Sequence, residues 1–289
     1  MTRADGTAPR SRTRSALTFG LFVLAGLLAW ELLKFVAGDP WRYFGLEWRP
    51  PLDVAFASDL MLPHVWEIVA ALVEPVQRLR TDSLAQFLLG AALYTWREAA
   101  IGFVGGTILG IGLATAFVHS RLLERAFVPY VIASQTIPIV ALAPMIVFAF
   151  GTSIVSVAIV AMYLTFFPVT IAMIRGLRSP DPRALDLMRS YAASPWAVFW
   201  KLRIPASLPY LFTALKISAT ASIVGAIIGE GPGGVNDGLG RAIINFNNQY
   251  ISGPEKLWAT ILAASLLGIA SYGLVQIAER YTLRAAPAR

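Results

Sequence analysis

Four aromatic residues stand close together in the sequence, inside a segment rich in charge. They are Tyr191, Trp196, Phe199 and Trp200, and basic residues flank them on both sides. Aromatic rings provide large contact areas when they insert into a groove on another protein, and Trp and Tyr are also common at the level of lipid headgroups. These residue types favour either docking to a partner or an interfacial helix, and composition alone leaves both open.

A second set of polar residues lies within apolar sequence. Such groups are costly in a membrane core, so they either line a solute path or form hydrogen bonds between helices. The candidates for a translocation pathway are Ser134, Gln135, Thr136, Pro138, Ser218 and Ser222. Pro138 removes a backbone donor and bends a helix, which frees carbonyl groups for a ligand or a gate. Pathway and interhelical bonding both remain open here.

Residue types for catalysis are scarce. The chain has no Cys and two His, and His64 and His119 are expected to be ordinary residues near opposite membrane faces. The Gly-rich run at residues 229–234 lacks the Lys of a phosphate-binding loop, so that machinery for ATP hydrolysis is missing. We therefore predict no catalytic residue, no cofactor and no metal site.

The elements that must position these residues are apolar and long. The 289 residues are 56% hydrophobic and 14% charged, with a mean hydropathy of +0.63. A bilayer core of about 30 Å needs about 20 apolar residues in a helix. Six such stretches are predicted, at residues 15–37, 99–118, 126–150, 154–174, 208–228 and 257–278. The predicted fold class is an all-α integral membrane protein with about six transmembrane helices and short cytoplasmic helices.

The charge distribution predicts the orientation in the membrane. Most of the 24 Lys and Arg residues fall in the leader, near residues 121–125, in residues 175–203 and in the tail. Because short cytoplasmic segments carry an excess of Lys and Arg, both termini are expected to be cytoplasmic, in a plasma (inner) membrane. The net charge of +7 forms no single basic face, which argues against nucleic acid as a partner.

This orientation divides the chain into segments. They are a basic leader (1–14), a first span (15–37), an external segment with interfacial helices (38–98), a core (99–284) that contains a cytoplasmic loop (175–207), and a tail (285–289). The apolar run Leu84 to Tyr94 is too short to cross, so it either extends the second helix or lies flat on the membrane.

Three further expectations concern helix packing and buried charge. Gly102, Gly106 and Gly110 recur on one helical face, which favours close helix packing. Glu31 and Lys34 lie one helical turn apart and could pair. Glu230 is expected to be an exposed acid, either solvated or in contact with an external protein.

The cytoplasmic loop has a predictable local structure. Residues 186–194 favour a helix, Pro195 suits the first turn of a second short helix, and Pro205 is expected to end that helix. The sequence therefore predicts two short helices joined by a turn of small residues.

The same segment resembles the cytoplasmic loop of ATP-binding-cassette importer permeases, whose pattern is Glu-Ala-Ala, three residues, Gly, nine residues, Ile, any residue, Leu-Pro. Asp186 takes the first place, Ala192 takes the place of the Gly, and Pro205 closes the pattern as its one identical signature residue. The text at residues 135–144 before the loop, and Gly229-Glu230 after the fifth span, are similar to the nitrate, sulfonate and taurine type of permease.

The resemblance implies specific partners. They are a dimer of ATP-binding-cassette ATPases on the cytoplasmic side, an external substrate-binding protein and a second copy of the permease. It also implies that the loop couples the ATPase to the spans. The coupling residues are Asp186, Arg189, Tyr191, Ala192, Ser194, Pro195, Trp196, Phe199, Trp200 and Pro205.

Two other functions, secondary transport and membrane-embedded catalysis, compete with an importer permease. A secondary transporter driven by an ion gradient often buries acids near the bilayer midplane and has inverted repeats, whereas acids are rare in these spans and no paired halves are evident. A membrane-embedded enzyme would need a His, Cys or carboxylate constellation within the spans.

Overall fold

The computed structural model describes residues 10–43, 46–76, 82–231 and 237–285. The helices are α1 (Arg10–Val36), α2 (Val65–Ala71), α3 (Leu84–His119), α4 (Arg121–Ser134), α5 (Ile139–Phe150), α6 (Ile154–Leu177), α7 (Pro182–Ser190), α8 (Pro195–Val198), α9 (Ile204–Glu230), α10 (Leu239–Asn248) and α11 (Pro254–Ala285). Most of the predicted leader and all but the first residue of the predicted tail lie outside the described residues.

The helical membrane fold predicted from sequence is confirmed. Among the described residues, five helices are long and apolar enough to cross a membrane, and the bent pair α4 and α5 makes a sixth candidate if counted as one span. Strands β1 (Trp41–Tyr43) and β2 (Leu46–Trp48) form a small antiparallel hairpin that the sequence analysis did not predict. The chain forms two compact units: an N-terminal unit (Met1–Leu84 with Phe246–Ala259) and a core unit (Ala85–Asn245 with Thr260–Arg289).

The N-terminal unit is organised around buried charges. Lys34 is 1% exposed, and its Nζ lies 2.5 Å from both Asp59 Oδ1 and the Leu62 carbonyl oxygen. The Glu31 carboxylate instead contacts the imidazole of His64, at 2.8 Å. The prediction that Glu31 and Lys34 pair was therefore wrong, because each side chain finds a partner from residues that follow the hairpin.

His64 is buried within the N-terminal unit. Its ring is 1% exposed and stacks on Trp66 at a centroid distance of 4.0 Å. Burial lowers the pKa of the His64 imidazole, despite the opposing effect of the hydrogen bond with Glu31. Burial therefore favours the neutral imidazole at this position.

Helix α6 is the centre of the core unit. It packs along α9, and it also meets α3 at Gly102, Gly106 and Gly110. A Cβ atom added at Gly106 would lie 2.6 Å from Thr165 Cβ and 2.8 Å from the Met162 carbonyl oxygen. The predicted packing role of these glycines is confirmed, since only hydrogen leaves room for the two backbones to approach.

The structure changes two predicted helix boundaries. Helix α3 is continuous from Leu84, so the run to Tyr94 extends the second span and does not lie flat. The predicted third span, residues 126–150, is not one helix, because α4 and α5 meet at a bend of 100°. Helices of 14 and 12 residues extend only about 20 Å each, so neither crosses a bilayer core alone.

Together α4 and α5 run from one end of the core unit to the other. Near the start of α4, Glu124 pairs with Arg178, directly after the end of α6. After the end of α5, the Gly151 carbonyl accepts a hydrogen bond from Ser156 in the first turn of α6. The pair is therefore a broken span antiparallel to α6 and not a loop that returns to the same end.

Candidate functional site

The polar loop after α6 lies at a well-defined end of the core unit, which we call the coupling end (residues 178–203). The ring of His119, the last residue of α3, lies 5.2 Å from the ring of Phe199 between their centroids. The Arg178 guanidinium donates to both carboxylate oxygens of Glu124, at 2.8 and 2.7 Å. The ends of α3 and α6 and the starts of α4 and α9 therefore meet here.

Helix α7 is bounded by a cap at each end. The Asp181 carboxylate accepts from the Arg183 amide at 2.8 Å, and Pro182 occupies the first turn. At the other end the Ala192 amide donates to the Arg189 carbonyl, and the Ala193 amide donates to the Met188 carbonyl. These two bonds form a Schellman motif, in which the first residue after the C-cap Tyr191 adopts a left-handed conformation.

Ala192 is that left-handed residue, with φ of 49°. It is the only non-glycine with positive φ in the described part of the chain. Left-handed backbone strains a residue with a Cβ and is natural for glycine. This geometry explains why the resembling loop pattern has Gly where this chain has Ala192.

Helix α8 is short and runs into α9 without a stop. Ser194 caps it by accepting from the Ala197 amide at 3.2 Å, and Pro195 stands in its first turn as predicted. A wide turn at Phe199–Arg203 then leads into α9, where Pro205 lies in the first turn. The prediction that Pro205 ends the second short helix was wrong, because the chain stays helical from Pro195 to Glu230 and Pro205 lies directly after the wide turn, at the start of α9.

The four aromatic rings divide into one anchor and three exposed side chains. Tyr191, Trp196 and Trp200 are 77%, 68% and 52% exposed, whereas Phe199 is 5% exposed. Phe199 belongs to a buried cluster with Val169 and Met173 of α6 and Ala214 of α9. We therefore correct its predicted role, since it fixes the turn to the spans and is not available to a partner.

Two of the three exposed rings, those of Trp196 and Trp200, also contact the anchor. Centroid distances are 5.9 Å for Trp196 to Phe199, 5.6 Å for Trp196 to Trp200 and 5.5 Å for Phe199 to Trp200. Nearby, Arg189 pairs with Asp186 at 3.0 Å on the exposed face of α7. The turn thus presents a fixed apolar projection next to a neutralised pair of charges; we call Tyr191, Trp196 and Trp200 the exposed ring set.

The bend between α4 and α5 collects the first group of predicted pathway residues. The Ser134 and Thr136 hydroxyls donate to backbone carbonyls three residues earlier, at 2.7 Å each. Pro138 caps α5 without a side-chain hydrogen bond, and Thr136 and Pro138 are exposed. Tyr163 of α6 donates its hydroxyl to the Ser134 carbonyl, which places the bend level with the middle of α6.

The second group of predicted pathway residues lies elsewhere. Ser218 is 0% exposed and donates to the Thr165 carbonyl at 3.4 Å, and Ser222 is 2% exposed and donates to the Ala219 carbonyl at 3.0 Å. These contacts correspond to the alternative in which the hydroxyls are satisfied within and between helices. Neither of these hydrogen bonds joins the serines to the bend.

The core unit contains a buried pair of acids that was not predicted from the sequence. Glu230 was expected to be exposed, but it and Glu98 of α3 are both 0% exposed. The signal available in the sequence was Glu98 at the edge of an apolar run, 14 residues into what proved to be one continuous helix. In the described residues no group of three or more His, Asp or Glu side chains could hold a metal ion.

Fold and site together define a membrane-spanning protein that presents exposed aromatic rings at one end of its core unit. The chain belongs to the family of binding-protein-dependent transport system inner membrane components, whose model matches residues 106–283. The family predicted by resemblance is confirmed.

Individual relatives span several named solutes. The chain is 35% identical to a formylaminopyrimidine transport permease protein, ThiX, of Halalkalibacterium halodurans, over 78% of this chain and 92% of that protein. It is 31% identical to the riboflavin transport system permease protein RibX of Chloroflexus aurantiacus, over 66% of this chain and 70% of that protein. It is 28% identical to a putative aliphatic sulfonates transport permease protein, SsuC, of Escherichia coli, over 83% and 88%.

A solved structure has the same fold. The methionine ABC transporter MetNI, in an inward-facing conformation, matches with a TM-score of 0.50 and 23% identity, over 71% of this chain and 96% of the matched chain.

Proposed function

We propose that this chain is the permease subunit of an ATP-binding-cassette importer, powered by a separate ATPase that grips the exposed ring set. The observation that carries the proposal is the difference in burial of the four rings at the coupling end. Tyr191, Trp196 and Trp200 are exposed, whereas Phe199 is buried and anchors their turn to the spans. Aromatic side chains of this kind dominate the binding energy of protein interfaces.

The anchoring suggests how movement of the ATPase would reach the membrane. Phe199 packs against α6 and α9, so a force on the turn acts on two spans directly. Arg178 and Glu124 tie the start of the loop to α4, the first half of the broken span. An element can transmit nucleotide binding only if its contacts differ between two states, and a rigid projection meets that requirement.

In this proposal the bend between α4 and α5 lines the solute path. Discontinuous helices near the middle of a membrane commonly form substrate sites, because their ends offer backbone groups that a regular helix hides. Ser134, Gln135, Thr136 and Pro138 supply such groups here, and Ser218 and Ser222 support helix packing instead. The buried acids Glu98 and Glu230 lie at the end remote from the coupling end, so they do not favour an ion-driven transporter with acids at the midplane.

The proposal includes the remaining partners and the orientation. A second copy of the chain completes the pore, an external binding protein delivers a small solute, and both termini face the cytoplasm of a cell with the permease in its inner membrane. The family match and the placement of Arg121, Arg125 and the basic loop at one end of the core unit support this arrangement.

The docking step can be tested by replacing single exposed rings. Tyr191→Ala, Trp196→Ala and Trp200→Ala should each weaken ATPase binding by about 2 kcal/mol, or about thirtyfold, if they are interface hot spots. The measurement is the affinity of the purified ATPase for the permease in nanodiscs. We expect a loaded binding protein to stimulate ATP hydrolysis in the wild-type complex and to do so less in these variants.

A matched control is available on α4. Tyr130 is 73% exposed, close to the 77% of Tyr191, but it lies within a span, so Tyr130→Ala should leave ATPase affinity unchanged. If all three ring variants bind the ATPase as the wild type does, the rings sit at lipid headgroups and the docking role is wrong. Solute uptake by the chain alone, driven by an ion gradient, would support a secondary transporter.

A further inference from the structure

Two carboxyl groups face each other in the core unit, at the end remote from the coupling end. Glu98 of α3 and Glu230, the last residue of α9, are both 0% exposed and interact directly through their carboxyl groups. Neighbouring buried residues from α3, α6 and α9, among them Ala99, Val157 and Ala226, form an apolar cluster. Water is therefore largely excluded from this contact.

The two acids have unequal hydrogen bonding. Glu230 Oε2 accepts from the Gly240 amide at 2.5 Å, and its carboxyl group also interacts with the Thr95 side chain. Thr95 Oγ1 itself accepts from the Leu239 amide at 2.8 Å, which leaves the hydroxyl hydrogen free to point toward Glu230. Among the described residues neither Glu98 oxygen has a hydrogen-bond partner, and Glu230 Oε1 also has none. Glu230 therefore has a backbone donor to one of its oxygens, Oε2, whereas Glu98 has a donor to neither.

The chain that follows α9 is shaped around Glu230. Gly238 has φ of 109°, and a Cβ atom there would lie 2.5 to 2.6 Å from the Glu230 carboxyl atoms. A Cβ atom on Gly240 would lie 2.9 Å from Glu230 Cβ and Oε2. The turn at residues 238–240 is therefore packed directly on this carboxyl group, where α10 begins.

Charge balance decides the state of the pair. No described Lys or Arg makes an ion pair with either acid. The nearby titratable groups Arg97, which is exposed, Asp237 and Tyr94 interact with Glu98 only through longer-range electrostatics. Two buried carboxylates in contact repel strongly, and such pairs are relieved when they share one proton. A protonated Glu98 would also supply the donor that its own oxygens lack.

We propose that Glu98 is held as a neutral carboxylic acid whose O–H donates to the Glu230 carboxylate, forming a buried proton-binding pair that clamps the turn at residues 238–240. This site is independent of the coupling end and of the bend between α4 and α5. Loss of the proton would place two negative charges in contact and release the turn that begins α10. The clamp is therefore sensitive to pH on the side of the membrane that this turn faces.

The sign of the pH effect follows from proton counting. Above the ordinary range of an exposed Glu, about pH 4.3, the folded pair holds one proton more than the unfolded chain does. Stability must then fall as pH rises, by up to about tenfold in the unfolding equilibrium constant per pH unit, until the pair loses its proton. His64 titrates in the N-terminal unit of wild type and variants alike, so a comparison between them removes its contribution.

The test compares thermal unfolding of the full chain in detergent across pH for wild type, Glu98→Gln and Glu230→Gln. Glu98→Gln should keep wild-type stability at low pH and lose the fall in stability as pH rises, because its amide donates without a titrating proton. Glu230→Gln should be less stable than Glu98→Gln, because it removes the negative charge with which the Gly240 amide and the Thr95 hydroxyl interact.

Three results would overturn the proposal. One is a Glu98→Gln protein that fails to fold or that keeps the wild-type pH dependence. Another is equal destabilisation by the two Gln variants. The third is a rise in wild-type stability with added Na⁺ or Ca²⁺ that Glu98→Gln lacks, which would show that a cation and not a proton occupies the pair.

Discussion

At the scale of single residues, two adjacent aromatic side chains at the coupling end differ sharply in burial and therefore in role. Phe199 and Trp200 are neighbours with similar side chains, yet one is 5% and the other 52% exposed. The wide turn at Phe199–Arg203 directs one ring into the cluster between α6 and α9 and the other outward. Replacing Phe199 should therefore damage folding, whereas replacing Trp200 should affect only binding.

Ala192 provides the sharpest test at this scale. Its φ of 49° strains the backbone in the turn that presents Tyr191. Ala192→Gly should stabilise the turn by about 1 kcal/mol, because glycine adopts this conformation without a Cβ clash. Slower amide hydrogen exchange over residues 188–193 would report the gain.

Ala193→Gly is the matched control. Ala193 follows in the same turn without a positive φ, so the glycine there only adds freedom to the unfolded chain and should cost up to about 1 kcal/mol. Equal effects of the two substitutions would mean that the left-handed geometry at residue 192 does not strain the protein.

At the scale of elements, the contact between α3 and α6 depends on glycines, which have no side chain to keep the two helices apart. Three glycines spaced by four residues let α3 approach the backbone of α6. Without a hydrophobic driving force between helices in lipid, this close van der Waals packing is what holds such helices together.

Gly106→Ala should therefore be strongly destabilising. The new Cβ would lie 2.8 Å from the Met162 carbonyl oxygen, a backbone atom that cannot move without shifting α6. We expect a loss of about 1 to 3 kcal/mol, typical of overpacking, seen as a lower thermal midpoint in detergent.

Gly112→Ala on the same helix separates packing from helix propensity. A Cβ at Gly112 meets nothing within 4 Å, so this change should raise stability by up to about 1 kcal/mol. Similar midpoints for the two variants would argue that α3 and α6 do not pack closely in the membrane.

At the scale of the whole molecule, the broken span decides the topology. If α4 and α5 together cross the membrane, the candidate spans number six and both termini share a side. If the pair returned to its starting side, the termini would lie on opposite sides. The contacts of Glu124 with Arg178 and of Ser156 with Gly151 support the crossing.

Cysteine labelling tests this arrangement cleanly, because the natural chain has no Cys. In intact spheroplasts a membrane-impermeant maleimide should label Asp237→Cys, whose position is exposed at the end remote from the coupling end. Ser190→Cys and Arg121→Cys, both at exposed positions, should react only after the membrane is permeabilised. Labelling of Arg121→Cys from outside, together with protection of Ser190→Cys, would show that α4 and α5 do not cross the membrane together.

The sequence by itself determined the membrane class, the approximate position of five of the six predicted spans and the presence of short helices between α6 and α9. These features depend on apolar runs of about 20 residues and on local turn chemistry, both of which are written in consecutive residues. The glycine repeat on α3 was predictable for the same reason, since a helix places every fourth residue on one face.

Only the tertiary structure decided which side chains are buried. Glu98 contacts Glu230, Phe199 packs against α6 and α9, and Glu31 and Lys34 pair with His64 and Asp59 instead of with each other. Each of these contacts joins residues far apart in the chain. The bend at residues 135–138 was visible as prolines, but its angle of 100° and its level beside Tyr163 follow from the packing of α4 and α5 against α6. Local sequence sets which helices form, whereas burial and charge pairing are set by the neighbours that the fold supplies.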